Sequence, residues 1–221
     1  MKNSSNKSTG LFNKSVIVYV IGTLTLLNGF LMLSCIPFSI IYDYNQELHW
    51  DFLLCGVITI FSGFLMMWVT KEHKNSEIKK RDGYLIVVGG WLFMTLFGSL
   101  PYLISGSIPN LTNAFFETMS GFTTTGSTIL DDIESLPKSI LFWRSMTQWI
   151  GGMGIIVLTI AILPLLGIGG MELFVAESPG PTKDKIHPRI KETAKRLWII
   201  YFGLTMLETC LLYTSPSPRD R

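Results

Sequence analysis

Apolar residues come in long blocks separated by short polar intervals, and the block lengths set the first expectation. From Ser15 to about Tyr42 no residue is charged, a run longer than the roughly 20 residues that a helix needs to span the hydrocarbon of a bilayer. Pro37, near its far end, is expected to kink or end it. Phe52 to Thr70 predicts a second span. Tyr84 to about Ser105 predicts a third, ending near Pro101, and Leu141 to about Leu166 a fourth. Leu197 to Thr209 reads as the start of a fifth, with a helix restarting from Pro188. The first block is too long for a signal-peptide core and shows no clear small-residue cleavage site, so it reads as a retained helix.

The interval between the third and fourth blocks differs from the rest. Gly106 to Asn110 reads as a turn, and Thr112 or Asn113 as the N-cap of a short helix. That helix, from Ala114 to about Ser120, makes only some two turns, too few to cross a bilayer. Behind it comes Thr123-Thr124-Thr125-Gly126-Ser127-Thr128. Non-helical backbone at membrane depth survives only where protein buries it or where it lines a watery cavity. A short helix leading into such a stretch is therefore read as a re-entrant loop. Its chemistry is that of a cation filter, in which carbonyl dipoles replace an ion's hydration shell. Thr124 and Thr125 would supply carbonyls and a hydroxyl, Gly126 the backbone freedom to aim one, and Ser127 and Thr128 the outer mouth. The partial negative charge at the C-terminus of the short helix would favour a monovalent cation there. The alternative is an ordinary polar turn with Thr and Ser as caps. A phosphate loop fits poorly, since there is no GK[ST] and the stretch lies on the wrong side of the membrane.

Composition supports the membrane reading. The 221 residues are 48% apolar and 15% charged, against roughly 25% charged in soluble domains, and mean hydropathy is +0.40. A net charge of +2 argues against a nucleic-acid platform. Residues 1–14, 71–82 and 167–196 hold nearly all the Lys and Arg, while 43–51 and 106–137 hold none. The positive-inside rule puts the first group, including the N-terminus, in the cytoplasm. Counting crossings agrees, provided that 112–128 does not cross.

Single residues add less. Asp131, Asp132 and Glu134 form an acidic patch that would concentrate cations at the loop, and Pro137 can open the next helix. Arg144 is the sole charge in the fourth block; it is expected to snorkel beside Trp143, with Gln148 one turn on within reach. Glu117, in the short helix, is expected to bond neighbouring backbone rather than ions. Gly151-Gly152-Met153-Gly154 lets a neighbour approach closely. Cys35 and Cys55 lie in apolar blocks and Cys210 near the end, which gives neither a disulfide framework nor metal-ligand spacing. His49, His73 and His187 are scattered, and no Ser/His/Asp or Cys/His set suggests catalysis. The basic run 183–196 suits lipid headgroups, a cytosolic partner, or plain solvation.

Several stretches in combination resemble the Trk-type potassium uptake proteins (the TrkH/KtrB family): AFFETMSGFTTTGSTI at 114–129, FWRSMTQWIGGMGIIVL at 142–158, ILPLLGIGGMELFVAESPGP at 162–181 and HPRIKETAKRLW at 187–198. The resemblance implies an all-α polytopic membrane protein built on a helix, re-entrant pore helix with filter loop, helix repeat of potassium-channel type, preceded by two extra transmembrane helices. Four such non-identical repeats would form one pore. Thr124, Thr125, Gly126 and Ser127 match the first repeat's filter. Potassium is then the transported substrate, with no organic cofactor. The implied partners are the lipid bilayer, a second copy in a homodimer, and a cytosolic nucleotide-binding regulatory subunit. The implied location is the bacterial inner membrane. A sodium- or proton-coupled cation symporter using the same loop, or a non-conducting membrane scaffold, are the alternatives.

The organisation so read is a cytoplasmic tail (1–14), two N-terminal helices (15–83), one complete repeat (84–166), a cytoplasmic basic loop (167–196), the start of a second repeat (197–209) and a tail (210–221). That tail, from Cys210 to Asp220, replaces an expected apolar helix and reads as the translation of a transposase-type sequencing adapter. Family sequence is accordingly expected to stop near Thr209. One filter strand cannot encircle an ion, so this stretch alone is expected not to conduct.

Overall fold

Asn13 starts the first helix by accepting a hydrogen bond from the Val16 amide on its side chain. The computed structural model describes residues 13–43, 47–71, 80–166 and 186–214. Their regular structure is helical: α1 (Lys14–Leu33), α2 (Ile36–Tyr42), α3 (Leu48–Val69), α4 (Lys80–Gly98), α5 (Leu100–Ile104), α6 (Leu111–Phe122), α7 (Lys138–Leu166) and α8 (Ile186–Thr214). The chain divides into two compact units, Met1–Gly151 and Gly152–Arg221.

The expected breaks occur at proline. Pro37 sits in the first turn of α2, so the first apolar block bends at Ser34–Cys35. Pro101 does the same for α5 after Ser99. A proline ring clashes with the carbonyl four residues back and cannot donate to it, so the helix must restart. Taking each broken pair as one, four described helical segments are long and apolar enough to cross a membrane: Lys14–Tyr42, Leu48–Val69, Asp82–Ile104 and Glu192–Thr214. Helix α7, at 29 residues, extends about 43 Å at 1.5 Å per residue.

Several helices start earlier than hydropathy suggests. Helix α3 begins at Leu48 rather than Phe52 and carries Asp51 in its first turn. Helix α4 begins at Lys80 rather than Tyr84, with Asp82 in its first turn. Carboxylates suit the positive end of a helix, so these polar residues extend the helix beyond the apolar block. Helix α8 likewise starts at Ile186 and runs to Thr214, past the Thr209 boundary. Its exposed Ile199, Ile200, Phe202 and Leu204 are apolar surface of the kind that lipid covers.

In the first unit α1 packs against α3 and α4, and α4 against α6. The α1–α3 seam is built on glycine. A Cβ on Gly63 would lie 2.6 Å from the Leu26 nitrogen and 2.7 Å from the Gly22 carbonyl, and one on Gly29 would lie 3.0 Å from the Gly56 carbonyl. Small residues let two membrane helices meet backbone to backbone. Asn28, fully buried on α1, donates to the Met94 carbonyl of α4 at 3.2 Å. The end of α2 is also tied to the start of α7. Asp43, at the end of α2, accepts from the Lys138 amide (3.1 Å) and the Ser139 amide (2.6 Å), capping the start of α7 from about a hundred residues away.

Candidate functional site

Helix α6 has 12 residues, about 18 Å, which is longer than Ala114–Ser120 yet well short of the roughly 30 Å of hydrocarbon. Its N-cap is Asn110, not Thr112 or Asn113. The Asn110 side chain accepts from the amides of both those residues, at 2.9 and 3.3 Å. Asn110 has the extended dihedrals (φ −86°, ψ 121°) that a cap requires.

The far end of α6 is closed by a Schellman arrangement. The Thr125 amide reaches back to the Ser120 carbonyl (3.0 Å), and the Thr124 amide to that of Gly121 (2.9 Å). The residue that turns the chain is Thr124, at φ +55°. Glycine normally takes this left-handed place, and a β-branched residue there is strained. Gly126 is left-handed as well, at φ +77°. Two residues of the expected filter thus hold backbone conformations that most side chains avoid.

Beyond Gly126 the chain returns along α6. Ser120 Oγ donates to the Ser127 carbonyl at 2.6 Å. Three residues earlier on the helix, Glu117 Oε2 accepts from Thr128 Oγ1 (2.9 Å) and the Ile129 amide (3.1 Å). Later loop residues meet earlier helix residues, so the returning segment runs antiparallel to α6 and the loop is re-entrant in shape. Between the cap and this clamp, no donor among the described residues reaches the carbonyls of Thr124, Thr125 or Gly126. All three residues are exposed. A carbonyl without a protein donor needs water or an ion. The Thr123 hydroxyl donates to the Met119 carbonyl (2.8 Å) and lies 2.8 Å from that of Thr125. A hydroxyl has one proton, so Thr125 is the donor of that pair and keeps its lone pairs for another partner.

Behind the loop lies an ion pair whose members are 27 residues apart in the chain. Arg144 does not snorkel, nor does its Nε turn to Gln148: it donates to Glu117 Oε1 at 2.7 Å. Glu117 is 2% exposed. The expectation that Glu117 bonds neighbouring backbone is met at Ile129. One signal pointed to the pair: Glu117 and Arg144 are the sole charges of α6 and of the fourth apolar block, with opposite signs, and each needs a partner at membrane depth.

Helix α7 meets both the end of α4 and the end of α6. Trp143, fully buried, donates its indole N–H to the Gly98 carbonyl at 3.0 Å. Gly121 faces Thr147, and Gly151 faces the Phe122 backbone so closely that a Cβ would collide with the carbonyl. Here the Gly-rich stretch does admit a neighbour, the last turn of α6. Asp131, Asp132 and Glu134 lie in the exposed connection after the loop.

Residues 48–217 match the TrkH family, described as cation transport proteins. The chain belongs to the TrkH family. Among TrkH relatives, the Trk system potassium uptake protein TrkH of Vibrio parahaemolyticus is 47% identical over 193 residues, which is 86% of this chain and 39% of that protein. The Trk system potassium uptake protein TrkG of Escherichia coli is 39% identical over 189 residues, 84% of this chain and 38% of that protein. The crystal structure of the potassium transporter TrkH from Vibrio parahaemolyticus superposes with a TM-score of 0.74 at 40% identity, covering 89% of this chain and 38% of that one. The chain therefore spans about two fifths of the length of the curated TrkH relatives it matches.

Proposed function

We propose that this chain contributes one wall of a potassium-conducting filter, formed by Thr124, Thr125, Gly126 and Ser127, in a transporter that takes up potassium. The observation that carries the reading is the run of carbonyls at Thr124–Gly126, free of donors from the described residues and held between a helix cap and a clamp. Fixed carbonyl dipoles that replace hydration are how a filter passes a cation without binding it too tightly. The potassium uptake named for the relatives supports the choice of ion.

The same reading places the protein in a bacterial inner membrane with a cytoplasmic N-terminus, on the strength of the Lys/Arg asymmetry. It gives the transporter a homodimeric state and a cytosolic nucleotide-binding regulatory subunit, as the family resemblance implies.

The test exchanges the aligned 193 residues of Vibrio parahaemolyticus TrkH for those of this chain and measures rubidium uptake in cells lacking other potassium uptake. Gly126 has open space around its Cβ position but φ +77°, so Gly126→Ser perturbs the backbone alone. At equal membrane abundance, uptake abolished or made sodium-permeable is the expected result. Uptake and selectivity unchanged by Gly126→Ser would reduce the loop to a structural turn.

A further inference from the structure

We propose that Glu117 is a positioning residue for ion selectivity: its carboxylate fixes the returning segment at Thr128 and Ile129, and Arg144 is the counter-charge that holds that carboxylate in aim. This rests on the filter reading of Thr124–Ser127.

Glu117 takes three donors, divided by oxygen. Oε1 takes the Arg144 guanidinium, and Oε2 takes the Thr128 hydroxyl and the Ile129 amide. Only an acceptor satisfies all three. The loop side fixes geometry. The donor-free carbonyls lie between the Schellman cap at Thr123–Thr125 and the clamp at Ser127–Ile129. With both ends held, their spacing cannot adjust freely, and spacing together with carbonyl field is what separates one monovalent cation from another. The guanidinium side fixes charge. A bare carboxylate buried beside the loop would attract a permeating cation far more strongly than a carbonyl dipole does. Paired at 2.7 Å with Arg144, its field is largely cancelled, and the carbonyls set the binding strength.

The two functions can be separated, because the clamp needs an acceptor at position 117 whereas an ion pair works in either orientation. The experiment uses the same chimera, with rubidium and sodium uptake and the Michaelis constant for rubidium measured at matched membrane abundance. Thr128→Val keeps the shape and the ion pair but removes the hydroxyl that donates to Glu117 and accepts from the Leu130 amide. It is expected to lower the rubidium-to-sodium ratio roughly fivefold, the scale of one hydrogen bond, while Thr128→Ser keeps it. Glu117→Gln is expected to lower the ratio further. The charge exchange, Glu117→Arg with Arg144→Glu, is expected not to restore it, since an arginine at 117 confronts the Thr128 and Ile129 donors with more donors.

A wild-type ratio in Thr128→Val, or restoration by the charge exchange, would overturn the proposal. So would changes confined to abundance or overall flux, which a purely structural role predicts. If Glu117→Gln does not assemble, the two Thr128 variants decide. Failure of the filter reading itself looks different: Gly126→Ser would then leave flux and ratio untouched.

Discussion

Along the α1–α3 seam, Gly22 and Gly29 meet Gly63 and Gly56, and the contact is backbone on backbone. Around the loop after α6, by contrast, the chain is held by discrete bonds: Ser120 to Ser127, Glu117 to Thr128 and Ile129, Arg144 to Glu117. The seam is a steric device. It has no part that can be loosened without separating the helices. The loop is a tethered device, and each tether can be altered while the others stand. A scaffold gains from the first arrangement. A segment whose carbonyl spacing matters gains from the second, because its geometry can be set bond by bond.

The largest effect should come from cutting the strongest tether. Arg144→Ala leaves a carboxylate stranded at 2% exposure, and removing one partner of a buried pair costs about 3–5 kcal/mol. Thermal unfolding of the purified chimera in detergent measures it, and Arg144→Lys, which keeps the charge, should lose clearly less. The seam ranks next. Gly63→Ala puts a methyl 2.6 Å from a backbone nitrogen that cannot move aside, an overpacking cost of about 1–3 kcal/mol. Gly83→Ala, with nothing within 4 Å of its Cβ position, should instead gain about 0.5–1 kcal/mol from helix propensity. Equal outcomes at 63 and 83 would mean that the seam is not steric. The smallest effect belongs to the cap. Thr124→Gly relieves a left-handed threonine at φ +55°, worth roughly 1–2 kcal/mol, but glycine loses more chain entropy, roughly 0.5–1 kcal/mol. A net stabilisation of about 0.5 kcal/mol, accompanied by poorer discrimination against sodium, would mark the strain as functional. Stabilisation with selectivity intact would mark it as incidental.

The membrane helices were legible because hydrocarbon imposes a length and an apolar composition that any reader of the sequence can see. The bends at Pro37 and Pro101 were legible because proline acts through its own ring. The short helix before the loop was legible from its brevity, though its ends were not. Polar residues such as Asn110 and Thr112 are helical or capping according to which amides they meet. The Glu117–Arg144 pair was missed because its members are 27 residues apart, a separation that no local periodicity spans. The left-handed Thr124 was missed because the turn overrides threonine's own preference, and sequence reports the preference.

Asp43 bears on how the protein is made. It is synthesised about 95 residues ahead of the amides it caps, and in the folded chain it is 7% exposed. A ribosome must therefore deliver α3, α4, α6 and the loop before this carboxylate meets its partners at Lys138 and Ser139. Until then the end of α2 must stay hydrated at the membrane surface. The cap can thus close only after the chain between α2 and α7 has been made, which ties the end of α2 to the arrival of α7.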